Sequence, residues 1–281
     1  MKGGKWVALL ALTLGLAGCR QAKTLTVQPA STVAGGTSVM IGGTAKGYAY
    51  VRYSSPEVKG TVKVAAGRFT IRLPQAVVAR TLRLVAGSQI KQVKVPAATA
   101  LGPYRAVATS YNQALWGTYL SQDERAKLTA AAKAAKLKTT RSAAQQAAFD
   151  RDQAAASAIA AAAKKAAKSH QLPTAVTGQK VVTATAGGKV TASVDDGQLL
   201  SLTTVVKLNT LETSMGTGAF GTQLGLLTTA VGAKSSAVSA GLAAAAKAHA
   251  ANQSPKPIVS NGVTVSFAYG KATLTVYMSR G

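Results

Sequence analysis

Only one cysteine, Cys19, occurs in the 281 residues. No disulfide can close within such a chain, and no thiolate cage can hold a metal. Acids are scarce as well: eight Asp and Glu stand against 33 Lys and Arg, for a formal charge of +25. The only histidines are His170 and His249. Sites built on paired carboxylates or clusters of ligating side chains have little to draw on, and no catalytic residue, metal ligand or cofactor-binding residue is assigned. Aromatics make up 5% of the chain, which is poor for the stacking that nucleic-acid binders interleave with their basic residues. A chain without crosslinks is held by its hydrophobic cores alone, and this length suffices for two modest ones.

What is present begins at the start of the chain. Lys2 and Lys5 precede an apolar run, Trp6 to Leu14, that ends in Leu16-Ala17-Gly18-Cys19. A charged start, a short apolar middle and small residues before a cut make a secretory signal. The run is shorter than the roughly 20 residues of a transmembrane helix. Leu16, Ala17, Gly18 and Cys19 resemble the lipobox of bacterial lipoproteins. That resemblance implies a signal peptide over 1–18, cleavage before Cys19, a diacylglyceryl group on the Cys19 thiol, and a lipidated tether over 19–23. It implies a location on the outer face of the cytoplasmic membrane.

Removing the signal leaves a charge of +23, spread along the chain. Residues 24–96 carry ten basic side chains against Glu57 alone, 97–173 carry eleven against four acids, and 174–281 carry eight against three. Outside a membrane the anionic partners are lipid headgroups and wall polymers, and export argues against nucleic acid. A basic segment near such a surface gains about 1 kcal/mol per Lys or Arg. A solvated basic surface that only sets solubility is the alternative.

Residues 24–96 alternate short apolar-rich runs with turn residues. Strands are expected over 25–28, 38–42, 48–54, 61–64, 68–73, 81–85 and 91–95. Phe69, Ile71 and Leu73 fall on one face by period-two alternation. Seven short strands at this spacing suggest a β-sandwich. The order Ile41-Gly42-Gly43-Thr44-Ala45-Lys46-Gly47, then Tyr48-Ala49-Tyr50-Val51, then Gly67-Arg68-Phe69-Thr70-Ile71 resembles the immunoglobulin-like repeats of bacterial surface proteins. The resemblance implies a spacer or adhesion unit; the absence of a second Cys excludes an antibody-type bridge.

Composition shifts to Ala, Lys, Gln and Arg in 97–173. Ser121-Gln122-Asp123-Glu124 has the capping-box arrangement, and helices are expected from there through Leu137 and again over 142–170. With few large apolar residues beyond Phe149 and Ile159, the segment reads as a solvated helical connector. Tyr111, Trp116 and Tyr119, which precede the cap, are expected to anchor the first helix against a domain. Residues 174–281 give strands over 179–185, 189–194 and 199–208, a helical stretch over 218–251 broken near Gly232, and strands over 262–268 and 272–278. Asp195-Asp196-Gly197-Gln198 reads as a hairpin turn. This layout suggests an α+β domain with an antiparallel sheet, and it resembles the C-terminal domain of immunoglobulin-like lipoproteins from lactobacilli.

Three motifs mislead. Gly216-Thr217-Gly218-Ala219-Phe220-Gly221 fits a dinucleotide fingerprint, but no acid follows Glu212 to hold a ribose. The uncharged stretch 213–233 is long enough to span a membrane but too rich in Gly and Thr. Ser88-Gln89-Ile90-Lys91 is formally S-x-x-K but lies between strands, not at a helix start. The expected protein is therefore a non-enzymatic, membrane-anchored surface lipoprotein. It would bind anionic wall or membrane material, or another surface protein. A hydrolase with its site in 174–281, near His249, and a ligand-capture lipoprotein serving a transporter are the alternatives.

Overall fold

The computed structural model describes residues 22–33, 35–137, 140–214 and 218–280, apart from the side chains of 212–214. Leu16, Ala17, Gly18 and Cys19 lie outside the described residues, as does the signal.

Alternation in the first third of the chain produces eight strands in two antiparallel sheets. The first holds β1 (Thr24–Val27), β2 (Ser31–Thr32), β3 (Ser38–Lys46) and β6 (Arg68–Pro74). The second is ordered β5 (Lys59–Lys63), β4 (Tyr50–Ser54), β7 (Arg80–Ala86), β8 (Gln89–Val95). Both β1 and β2 pair with β3, so they form one edge interrupted around Pro29, which has no N–H to give a ladder. In β6 the alternation is complete: Phe69, Ile71 and Leu73 are buried while their neighbours are exposed. They share one core with Val39 and Ile41 of β3, Val51 of β4, Leu82 and Leu84 of β7, and Val93 and Val95 of β8. Phe69 lies across Gly43, where a Cβ would stand 2.6 Å from the ring, so the glycine makes room for the aromatic.

The second core begins earlier than composition suggested. Leu101, Tyr104, Val107, Ala108, Tyr111, Leu115, Ala167 and Leu172 all join it. Residues 97–173 thus include β9 (Gly102–Pro103) and α1 (Tyr104–Thr118) as parts of this body, and the boundary expected at 174 runs through its core. The buried positions of α1 recur at 104, 107, 108, 111, 112 and 115, a helical stripe. Asn112 ties α1 to the end of the segment: its Nδ2 donates to the Leu172 carbonyl and its Oδ1 accepts from the Leu172 N–H. Among its described residues, the rest of the segment buries only alanines. α2 (Gln122–Lys136) buries only Ala131, and α3 (Ala143–Ala167) buries only Ala156, Ala163 and Ala167. α2 starts on the expected capping box, Ser121 with Glu124, and α3 starts on a second one, Ser142 with Gln145, that the sequence reading did not single out.

Among the described residues, seven antiparallel strands form the third sheet: β10 (Gly178–Thr185), β11 (Gly188–Asp195), β12 (Gln198–Lys207), β15 (Thr273–Arg280), β14 (Val263–Tyr269) and β13 (Ile258–Ser260) in order, with β9 beside β12. The hydrophobic face of this sheet shares its core with α1, α4 (Leu208–Ser214), α5 (Ala219–Ala230) and α6 (Ser235–Ala250). The break expected near Gly232 separates α5 from α6, with Gly232 at φ +83. The opposite face carries hydroxyls: register places Ser193, Ser201, Ser279 and Thr264 in one row, and Thr191, Thr203, Tyr277 and Ser266 in the next. An α+β architecture with antiparallel sheets is therefore what the chain adopts. The two bodies meet where Gly35 packs on Tyr277 and Gly36 on Ser279, and where the Val77 N–H donates to Asp195 Oδ2 at 2.8 Å.

Candidate functional site: a cationic groove on the second sheet

Register decides which basic residues share a surface. On β4, Val51 is buried, so Arg52 and Ser54 point away from the core. Ser54 lies opposite Lys59 of β5 and Arg83 of β7, while Arg52 lies opposite Thr61 and Val85. Adjacent strands are about 4.8 Å apart, so Lys59 and Arg83 flank the hydroxyl of Ser54 roughly two strand spacings from each other. These residues, with Tyr53 and Gly60, line a concavity of about 560 Å³. Gly60 makes room for the Tyr53 ring, since a Cβ there would overlap the Tyr53 hydroxyl.

Arg52, Lys59 and Arg83 are exposed, and among the described residues none forms an ion pair. The nearest acid in sequence, Glu57, accepts a hydrogen bond from Ser55 Oγ at 2.9 Å in the turn between β4 and β5. Three unpaired cations and two hydroxyl donors on a rigid sheet form an acceptor for anions. Arg offers a planar fork that matches phosphate or carboxylate oxygens, and Lys a point charge. Nothing in the groove is a nucleophile beside a base, so binding is the chemistry it supports.

The chemistry-bearing residues considered from sequence are placed apart. His170 Nδ1 lies 2.8 Å from the Tyr119 hydroxyl and 3.3 Å from Ser169 Oγ. His249 is exposed and stacks on Tyr269, with ring centroids 4.1 Å apart and planes at 6°. No acid or hydroxyl bonds to the His249 ring among the described residues. Asp195 and Asp196 form the expected turn, with Asp196 and Gly197 at positive φ, as a tight two-residue hairpin requires. Groups of three or more His, Cys, Asp or Glu able to hold a metal are absent among the described residues. The fingerprint at 216–221 lies partly outside the described residues; its described part opens α5, and every strand pairing of that sheet is antiparallel. None of the described helices is long and apolar enough to cross a membrane, and Leu224, Leu227 and Val231 of the uncharged stretch lie in the core.

Burial shifts two phenols of the second core. Tyr104 and Tyr111 are buried in the second core, and desolvation of the charged form pushes both up to about 12. Hydrogen bonds from Ser121 hold the Glu124 carboxyl below its usual range at the start of α2.

Sequence reading gave no special weight to Arg52, Lys59 or Arg83. Alternation within β4, β5 and β7 marks each as outward-facing, but their meeting depends on β4 lying between β5 and β7. No family model, curated protein or solved structure matches the chain.

Proposed function

We propose that this protein is a secreted lipoprotein anchored through a diacylglyceryl group on Cys19, and that it binds anionic polymers of the cell envelope without catalysing a reaction. The observation that carries the binding is the groove of Arg52, Lys59 and Arg83, unpaired cations gathered by register on one sheet face. The charge of the whole chain supports it, since diffuse positive charge raises the local concentration of a polyanion around the groove.

The first body is read as an immunoglobulin-like module. Its strand order supports this: β1, β3 and β6 correspond to A, B and E of such a fold, and β5, β4, β7 and β8 to C′, C, F and G. In this reading residues 24–96 form the binding module, and the body that follows is carried outward by it.

The test uses the mature chain with Cys19→Ser, which carries no lipid, and purified cell walls. Screening lengths are about 10 Å at 0.1 M salt and about 3 Å at 1 M, so adhesion falls steeply as salt rises. Walls stripped of phosphate-containing polymers bind less, and Arg52→Gln, Lys59→Gln and Arg83→Gln together weaken adhesion at least tenfold. Adhesion indifferent to salt and to the triple substitution would remove the groove from the proposal. Intact-mass analysis of the native protein tests the anchor separately: an unmodified Cys19 would overturn it.

A further inference from the structure

The first body has two unlike ends. At one, Gly35 and Gly36, the turn 75–79 and the segment after β8 face the second body, through the Gly35, Gly36 and Val77 contacts. Glu57, the sole acid of residues 24–96, also lies toward this end, in the turn that follows Ser54. At the other end the chain enters at Thr24, which pairs with Lys46. The turns 47–49, 64–67 and 87–88 gather there. Gly47 packs on Lys23, Gly67 lies against Lys46, and Gly87 lies against Tyr48.

That end carries Lys23, Lys46, Lys63 and Arg68, all exposed and none in an ion pair among the described residues. Register fixes their grouping: Lys63 lies opposite Tyr50, and Arg68 opposite Thr44, two residues before Lys46. Two aromatics stand among them. Tyr50 is 57% exposed, unusual for so large a side chain on a sheet, and Tyr48 lies under Lys23 Nζ at 5.8 Å. Basic residues interleaved with tyrosines, with acid confined to the opposite end, are the composition of a surface that sits at lipid headgroups. The cations meet anionic phosphates, and the amphipathic rings settle at the polar–apolar boundary. The tether points the same way, because only the four residues 20–23 separate Cys19 from the first strand. At no more than about 3.6 Å per residue, that link holds this end close to the bilayer.

We propose that the end formed by Lys23, Lys46, Tyr48, Tyr50, Lys63 and Arg68 docks on an anionic lipid bilayer, standing the module upright so that its far end presents the second body outward. This rests on the lipoprotein reading for its biological setting, but the surface itself acts without the lipid. Its residues are distinct from Arg52, Lys59 and Arg83, so polymer binding and membrane docking are separable.

The mature chain with Cys19→Ser is again the reagent, now mixed with vesicles of phosphatidylcholine alone or with phosphatidylglycerol added. Sedimentation is expected only with the anionic vesicles. Neutralising Lys23, Lys46, Lys63 and Arg68 to Gln should weaken it by roughly fivefold per charge, whereas the Arg52, Lys59 and Arg83 triple variant should bind nearly as the parent does. Cys19→Ser leaves the chain free of thiols, so a fluorophore on Ser88→Cys or on Glu57→Cys reports on one end each. The dye at 88 should be quenched by a headgroup-borne quencher and the dye at 57 should not. These labels read the orientation even if the fourfold variant fails to fold. Absence of binding to anionic vesicles, equal quenching at both ends, or loss of binding in the triple variant alone would each overturn the proposal. A lipid-free Cys19 in the native protein would overturn the anchor and leave this result standing.

Discussion

α1 and α2 are helices of 15 residues each, separated by Tyr119, Leu120 and Ser121. α1 buries six side chains in the second core, whereas α2 buries only Ala131 and packs chiefly against α3. Propensity favours α2, which is rich in Ala and Lys and begins with a capping box; α1 follows Pro103 with no side-chain cap. Yet α1, not α2, is the helix that joins the second core. Caps and composition decide whether a helix forms, but a stripe of Tyr, Val and Leu decides whether it belongs to a core.

The same contrast orders the effects of substitution. Phe69→Ala is expected to cost the most, about 3–5 kcal/mol, because Phe69 is 4% exposed in the first core and leaves a cavity beside Gly43. Chemical denaturation followed through the β-sheet signal measures it, and a near-neutral result would place Phe69 on the surface. Asn112→Ala should come next. It strands the Leu172 N–H and carbonyl, and a buried polar group without a partner costs about 1–3 kcal/mol. If α1 were only a connector, this change would leave the unfolding of the second body unaltered.

Raising pH loosens the core that α1 joins. A phenol whose folded pKa lies above its unfolded value of about 10 stabilises the fold fully below that pH. The contribution drains away as pH rises toward the folded value of about 12 at Tyr104 and Tyr111. Stability should therefore fall between pH 10 and 12, and Tyr111→Phe should flatten the fall in a melting series across that range. The smallest effect is expected from Ser121→Ala. It removes a cap worth about 1 kcal/mol to α2, detectable as faster amide exchange in residues 122–126, with the melting of the two cores unchanged.

Much of the fold could be read in advance where burial follows a local period. Phe69, Ile71 and Leu73 fall on the inner face as alternation requires, and strands form near every run expected in 24–96. The hairpin turn at Asp195-Asp196-Gly197 and the capping box at Ser121 were equally local. The short strand β2 was missed because two residues carry no period, and α4 because it continues directly from a strand. α1 was missed although its stripe is regular: the change in composition around Gly102 and Pro103 suggested a connector, and the partners of Tyr104, Tyr111 and Leu115 lie in strands far along the chain.

The sequence by itself determined the strong positive charge, the near absence of ligating side chains, the lipobox resemblance at Cys19, and the alternation that makes the first third of the chain β. These follow from composition and from neighbours within a few residues. Tertiary structure alone decided that Arg52, Lys59 and Arg83 share a groove and that Lys23, Lys46, Lys63 and Arg68 share an end. It also decided that Glu57 lies away from that end and that α1 belongs to the second core. Each of those outcomes depends on which strands lie side by side, and pairing over long separations is set by the burial of whole faces rather than by any local stretch of residues.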